Sequence, residues 1–228
     1  MQNQTIEGIL PVDKPIGRTS FSLISLLRRI TSVQKIGHTG TLDPFANGVM
    51  ILLIGSKYTR LSEQLLSKDK EYLATLHLGI TTDSYDIDGM ILERSSYIPT
   101  LKQIHETLSQ FQGTVLQTPP MFSAKKVKGK KLYELARKGI TIERQPSSVT
   151  LNTSLISYEY PYLKINVQCS KGTYIRSVAE DMGKLLGCGA HLSALTRVQN
   201  GAYTLAQCCD GARLSDPTYD WSAHLRTM

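Results

Sequence analysis

Gly37-His38-Thr39-Gly40-Thr41-Leu42-Asp43-Pro44-Phe45-Ala46-Asn47-Gly48 runs directly into the apolar stretch Val49-Met50-Ile51-Leu52-Leu53-Ile54. A short continuous apolar run of this kind reads as a strand buried on both faces. The residues before it are rich in glycine, which takes backbone shapes closed to residues with a Cβ. Pro44 disfavours the helical region for Asp43 and pushes it toward an extended conformation. One carboxylate is thus held stiffly on a loop beside a buried strand, a common way to present a reactive group. The same residues also suit an Asx-turn in which Asp43 only bonds nearby backbone. Taken alone, the segment leaves both readings open.

Working outward, residues 8–12 predict a short strand, followed by the loop Asp13-Lys14-Pro15-Ile16-Gly17. Ser20 then reads as the cap of a helix with Phe21, Ile24, Leu27 and Ile30 at helical spacing. After the apolar strand comes a predicted helix over 58–66, and residues 72–78 alternate as a half-buried strand does. A turn-rich stretch over 81–89 leads to a strand at 90–93. Thr100 caps a helix running to 109, and 114–117 is extended until Pro119-Pro120 stops it. A basic hairpin over 121–131 and a short helix to 138 precede strands at 148–158 and 163–169. A helix over 173–186, a long strand over 191–199 and one helical turn near Trp221 complete the chain. Alternating strands mixed among helices predict an α+β fold with a mixed, mostly antiparallel sheet.

At 228 residues there is room for one large domain or two small ones. Hydrophobic content of 41% and charged content of 20% are those of a soluble globular protein. The net charge of +7 favours a polyanionic partner. No apolar run approaches a membrane span and the N-terminus lacks the apolar core of a signal peptide, so a cytoplasmic location is expected. Cys169, Cys188, Cys208 and Cys209 contain no C-x-x-C pair, and reduced thiols are expected rather than bridges or a zinc site.

Three further segments could carry chemistry. In Lys70-Glu71-Tyr72, Tyr72 opens a strand, where it is either a core residue or a ring presented at a sheet end. In Ser170-Lys171-Gly172-Thr173-Tyr174-Ile175-Arg176 a strand turns into a helix, placing Tyr174 and Arg176 in its first turn. A cation is mildly unfavourable at a helix N-terminus. Arg176 therefore predicts a specific anionic partner, a carboxylate or a phosphate, against the alternative of an exposed ion pair. The third segment holds Lys125, Lys126, Lys128, Lys130 and Lys131, five lysines in seven residues. Phe122 and Tyr133 flank them, and Arg137, Lys138 and Arg144 follow. Such a segment suits a phosphate backbone with a base stacked nearby.

Rival motifs fail on spacing. Neither G-x-x-x-x-G-K-[ST] nor G-x-G-x-x-G occurs, and His105-Glu106 lacks the second histidine of a zinc-protease helix. Aligning Asp86, Asp88 and Gly89 with a calcium loop puts Ser84 at its first position and Ser95 at its last. Residues 83–89 instead predict a turn whose carboxylates bond the backbone. Neither a metal nor a cofactor is expected.

Together these segments resemble the TruB family of tRNA pseudouridine synthases. The resemblance rests on Val12-Asp13-Lys14-Pro15-Ile16-Gly17 with Thr19-Ser20, on residues 37–44, and on Lys70-Glu71-Tyr72. It continues through Thr82-Asp83 to Asp88-Gly89 and Pro119-Pro120-Met121-Phe122-Ser123-Ala124. It ends with residues 171–176, Gly187-Cys188-Gly189-Ala190-His191-Leu192 and Leu195-Thr196-Arg197, so that it spans residues 8–205. It implies a pseudouridine synthase fold with flanking helices and a catalytic cleft across the sheet.

The reaction it implies isomerises one uridine of the tRNA TΨC loop, position 55, to pseudouridine. The N1–C1′ bond breaks, the uracil turns, and C5 bonds to C1′, with nothing oxidised and no water consumed. By resemblance Asp43 is the essential carboxylate, a nucleophile on the sugar or base or a base at C2′. Arg176 would pair with it. Tyr72 would stack on the target base and assist proton transfer from C5, and Tyr174 and Leu195 would complete the uracil pocket. His38 would fill the space left when the base flips out. Lys125, Lys126, Lys128 and Lys130 lie in what matches the family's basic insertion, 121–145, which closes over the RNA.

Phe45 and Asn47 depart from the smaller aliphatic and hydroxyl residues usual there. The resemblance gives a catalytic domain over 1–210 and a tail over 211–228, without the C-terminal PUA domain of many bacterial relatives. It implies a monomer acting on the TΨC stem-loop. The alternatives are a tRNA-binding or folding module with vestigial catalysis, and a metal-dependent nuclease using Asp83, Asp86 and Asp88.

Overall fold

A computed structural model of the protein describes residues 6–66, 69–127 and 129–227. In chain order the elements begin with β1 (Gly8–Lys14), α1 (Ser20–Thr31), β2 (Ile36–His38) and β3 (Asn47–Ile54). Next come α2 (Ser56–Thr59), α3 (Ser62–Leu66), β4 (Lys70–Leu78), β5 (Ile80–Thr82), β6 (Ile91–Arg94) and α4 (Leu101–Ser109). β7 (Gly113–Gln117), β8 (Lys126–Val127), β9 (Lys130–Lys131) and α5 (Leu132–Ala136) follow, then β10 (Ser147–Glu159) and β11 (Tyr162–Cys169). The chain closes with α6 (Ile175–Leu186), β12 (Ala190–Asn200), β13 (Tyr203–Thr204) and β14 (Cys209–Asp210). Short 3-10 turns occur at Leu205–Gln207 and Trp221–His224. The fold is α+β, and the chain divides into two units, 1–72 with 195–228 and 73–194.

The first unit is organised by the apolar strand. β3 pairs antiparallel with β1 from Gly8↔Ile54 to Lys14↔Gly48, and β2 adds to it antiparallel at Ile36↔Ile54 to His38↔Leu52. β12 joins β3 in parallel over only Thr196↔Asn47 and Arg197↔Gly48, and β14 lies parallel to β1. Because side chains alternate across a strand, each half of the apolar run meets a different core. Met50, Leu52 and Ile54 pack with Leu10, Val12 and the α1 residues Leu23, Ile24 and Leu27. Val49, Ile51 and Leu53 pack with Ile9 and Tyr58 on the other face. Full burial of such an aliphatic side chain stabilises by about 2 kcal/mol relative to exposure, so the run is the anchor of this unit.

Two expectations in this unit are corrected. Thr19, not Ser20, caps α1: its backbone is extended and its side chain accepts from the Ser22 amide. Ser20 is the first helical residue, and its hydroxyl is committed elsewhere, donating to the Leu42 carbonyl at 3.1 Å and accepting from the Leu42 amide at 3.0 Å. Of the apolar residues noted at helical spacing, Ile24 and Leu27 are buried along with Leu23 and Leu26, while Phe21 and Ile30 are exposed. The helix expected over 58–66 is broken in two. The Leu61 amide bonds Tyr58 three residues back, which tightens the turn and ends α2.

The second unit carries the antiparallel series β4-β11-β10-β7, with β12 on the other side of β4. β10 and β11 pair from Leu151↔Cys169 to Glu159↔Tyr162 with a bulge between Leu155 and Ser157. Val149 and Leu151 of β10 and Leu163, Ile165 and Val167 of β11 point inward at period two. α4 starts on a complete capping box, the Thr100 side chain taking the Gln103 amide while Gln103 reaches back to Thr100. α6 buries Val178, Ala179, Met182 and Leu186 and ends at Gly187 in the left-handed conformation. β5–β6 and β8–β9 are separate hairpins.

Candidate active site

In the first unit β2 ends at His38 and β3 begins at Asn47, leaving 39–46 without regular pairing. Buried backbone polar groups outside ladders need other partners, and this loop finds them in its surroundings. The Thr39 amide donates to Ile51 O at 3.1 Å, and the Ala46 amide closes a turn onto Asp43 O at 3.1 Å. The Gly17 amide donates to Pro44 O at 2.8 Å. Ser20 takes both backbone groups of Leu42. Asp43 itself is half-buried, between buried Leu42 and exposed Pro44.

Two buried cations stand around this loop. Lys14 Nζ donates to Arg18 O at 2.7 Å, Pro15 O at 3.0 Å and Pro44 O at 3.4 Å. Desolvation brings its pKa down to about 8, opposed by the charge of Asp43 and assisted by that of Arg197. Arg197 Nε donates to Val49 O at 2.6 Å and its Nη2 to Gly40 O at 3.1 Å. His38 is pushed below the ordinary histidine range, first by burial and then by the Arg197 charge. It is therefore neutral at pH 7, and its buried Nδ1 takes no hydrogen bond among the described residues. A neutral ring can stack or fill space without bringing a charge into the interior. Tyr72 on β4 and Leu195 on β12 are both buried and belong to this unit with Asp43 and His38. Phe45 is buried, and Asn47 accepts from the Thr196 hydroxyl at 2.7 Å.

The second unit holds Arg176, Tyr174 and the lysine segment. Arg176, the second residue of α6, is buried and forms an ion pair with Asp86 at 3.3 Å. It also donates to Ser84 O at 3.3 Å and Phe122 O at 2.8 Å. The anionic partner predicted from its place at a helix start is thus matched by a buried carboxylate, and the exposed-pair alternative is excluded. Sequence reasoning missed Asp86 in this role. The stretch 83–89 was read as a turn with carboxylates on backbone, and it is one: Asp83 accepts from the Met90 amide at 2.8 Å and Asp86 from Asp88 at 3.1 Å. The additional contact to Arg176 joins residues ninety positions apart in sequence, which no local pattern reveals.

Tyr174 is the N-cap residue of α6 and half-buried. Its amide donates to Gln117 Oε1 at 2.8 Å, and its carbonyl accepts from Gln117 Nε2 at 3.1 Å. Gln117, also missed, is a buried polar residue at the end of β7, and its amide group fixes the backbone of Tyr174 from both sides. The lysine segment is a short hairpin pairing Lys126↔Lys131 and Val127↔Lys130. Lys126 and Lys130 are exposed and Lys125 half-buried, while Lys128 lies outside the described residues. Tyr133 carries two cations, with Lys131 Nζ 5.3 Å and Arg137 5.4 Å from its ring centre.

Among the described residues no group of three or more His, Cys, Asp or Glu comes together. No helix among them is long and apolar enough to cross a membrane. No disulfide joins the cysteines, and burial pushes the Cys208 and Cys209 thiols up to about 12.

Residues 28–175 match the family described as TruB family pseudouridylate synthase (N terminal domain). Residues 176–228 match the tRNA pseudouridylate synthase B C-terminal domain. The chain is 59% identical over 213 residues to tRNA pseudouridine synthase B of Protochlamydia amoebophila, covering 93% of this chain and 81% of that one. It is 57% identical over 226 residues to the protein of the same name from Chlamydia trachomatis serovar L2, covering 99% and 94%. Among solved structures it is similar to a Cbf5-Nop10-Gar1 complex, with 28% identity and a TM-score of 0.72. That match covers 94% of this chain and 55% of that one, so the chain spans about half the length of this structural relative.

Proposed function

We propose, since this chain belongs to the TruB family of pseudouridylate synthases, that it isomerises uridine to pseudouridine at position 55 in the TΨC loop of tRNA, in the cytoplasm. The observation that carries the reading is the Asp43 loop. A half-buried carboxylate sits on a segment whose backbone is held by Ser20, Lys14, Arg197 and the Gly17 amide. Such pre-organisation is what catalysis by a single positioned group requires.

In this reading Asp43 is the catalytic carboxylate, attacking the sugar or base or removing the C2′ proton. Tyr72 stacks on the uracil and assists the late proton transfer from C5. Tyr174 and Leu195 line the uracil, and neutral His38 takes the space of the flipped base. Arg176 is assigned as the cation that pairs with Asp43 on the family resemblance alone. Its ion pair with Asp86 holds the guanidinium in one orientation. Lys125, Lys126, Lys128 and Lys130 hold RNA phosphates.

The test is a TΨC stem-loop transcript incubated with the full chain and with Asp43→Asn. The wild type forms pseudouridine at one site. The variant loses at least about 1000-fold in rate while keeping its affinity for the RNA. Full turnover by Asp43→Asn would refute the mechanism. An RNA that is bound and refolded but never modified by the wild type would favour the binding-module alternative.

A further inference from the structure

Arg197 is among the largest fully buried side chains of the protein, at 1% exposure. Placing a guanidinium in the interior costs several kcal/mol unless it is well bonded. Neutral donors satisfy backbone carbonyls without that cost, so a buried arginine calls for a reason. Among the described residues its side-chain hydrogen bonds go to the flanks of the Asp43 loop: Gly40 O on the near side and Val49 O on the far side.

Its neighbours on β12 act on the same loop. The Thr196 hydroxyl donates to Asn47 Oδ1 at 2.7 Å, and Asn200 Nδ2 donates to Thr39 O at 3.1 Å. β12 meets β3 in parallel at just these positions, Thr196↔Asn47 and Arg197↔Gly48. Residues 39, 40, 47 and 49 are therefore all held from one strand, and Asp43 lies in the middle of the span. Leu195 immediately precedes this group on the same strand.

We propose that Arg197 is a positioning residue for the catalytic carboxylate. With Thr196 and Asn200 it fastens both ends of the Asp43 loop to the strand that carries Leu195, so that Asp43 and Leu195 share one rigid frame. The proposal rests on Asp43 being the residue that does the chemistry. A misplacement of about 1 Å in a reacting group can cost about 100-fold in rate, which sets the size of effect expected. Because Arg197 is buried, its side chain is out of reach of the RNA, and its loss slows the chemical step and leaves RNA affinity alone.

The experiment uses the full chain with Arg197→Met and Arg197→Lys. Three readouts are taken: single-turnover pseudouridine formation in a TΨC stem-loop, Kd for the same RNA, and hydrogen–deuterium exchange of peptides covering 39–46. For Arg197→Met the expected result is a rate loss of about 100-fold, a Kd within about twofold of wild type, and faster exchange over 39–46 with α1 unchanged. Arg197→Lys, which keeps the charge but cannot span both carbonyls, recovers part of the rate and part of the protection. A folded Arg197→Met with near wild-type rate overturns the proposal, as does a rate loss with unchanged exchange over 39–46. If Arg197→Met does not fold, Arg197→Lys is read alone, and wild-type rate and exchange overturn the proposal. A wild-type chain that makes no pseudouridine refutes the functional reading and the catalytic half of this one. The exchange data then still decide whether Arg197 frames the loop.

Discussion

The Asp43 loop and the lysine hairpin are both short on regular structure and both rich in charge, yet they use their cations in opposite ways. Around Asp43 the cations are buried, and among the described residues the side chains of Lys14 and Arg197 donate to backbone carbonyls. In the hairpin Lys126 and Lys130 stand in solvent, Lys131 meets the face and hydroxyl of Tyr133, and Arg137 lies over the same ring. A buried cation has given up hydration and must be answered by fixed partners, so it imposes geometry. An exposed cation keeps its hydration and stays available to neutralise phosphates. The first arrangement sets position and the second sets attraction, and the two respond to different perturbations.

The largest effect is expected where the rigid arrangement has no room to give. Gly48 sits at φ +107, and a Cβ there would stand 2.2 Å from the Arg197 carbonyl oxygen. Both the backbone conformation and the close parallel approach of β12 to β3 demand glycine. Gly48→Ala is expected to destabilise the protein by about 3–4 kcal/mol in urea titrations. A loss below about 1 kcal/mol would mean that the β12–β3 junction is looser than its hydrogen bonds imply.

That junction also marks where sequence reading stops. The buried strand at 49–54, the Thr100 helix, the α6 helix after Gly172 and the basic hairpin were all legible, because each is a local pattern of period, cap or charge. Asp43, Tyr72, Tyr174 and Arg176 were singled out by motif. Lys14 and Arg197 lay inside quoted motifs without a role, since their partners are carbonyls, which every residue possesses and no composition reveals. Asp86 and Gln117 were missed for a related reason: their partners are dozens of residues away. Ser20 was misassigned because serine is both a good cap and a good bridging hydroxyl. Only the position of Leu42 decides which role it takes.

The hairpin supplies the next test, intermediate in size. Replacing Lys125, Lys126 and Lys130 with alanine removes three cations without touching a packed core. The slope of log K against log salt for TΨC stem-loop binding should become shallower by about 2–3. The rate at saturating RNA should change by less than about threefold, because attraction and position are separate. A fall in the saturated rate as large as that of Asp43→Asn would show that the hairpin also places the reacting groups.

The smallest effect returns to the loop and concerns Lys14. Its ammonium titrates at about 8 in the folded protein, against 10.5 for a free side chain, with desolvation the main cause. Between those values the unfolded chain binds the extra proton, so raising the pH across this window stabilises the fold as far as Lys14 is concerned. Function moves the other way. The neutral amine donates at most two hydrogen bonds, fewer than the three now made to Pro15, Arg18 and Pro44. It also withdraws a positive charge from beside Asp43. At pH 9 only about a tenth of the molecules keep this proton, and the single-turnover rate is expected to fall about fivefold from its value at pH 7. Lys14→Arg, which does not titrate in this range, should flatten that decline even if its maximum is lower. A rate that falls equally in both proteins would assign the alkaline limb to the RNA or to another group, and would leave Lys14 as a purely mechanical tie on Pro44.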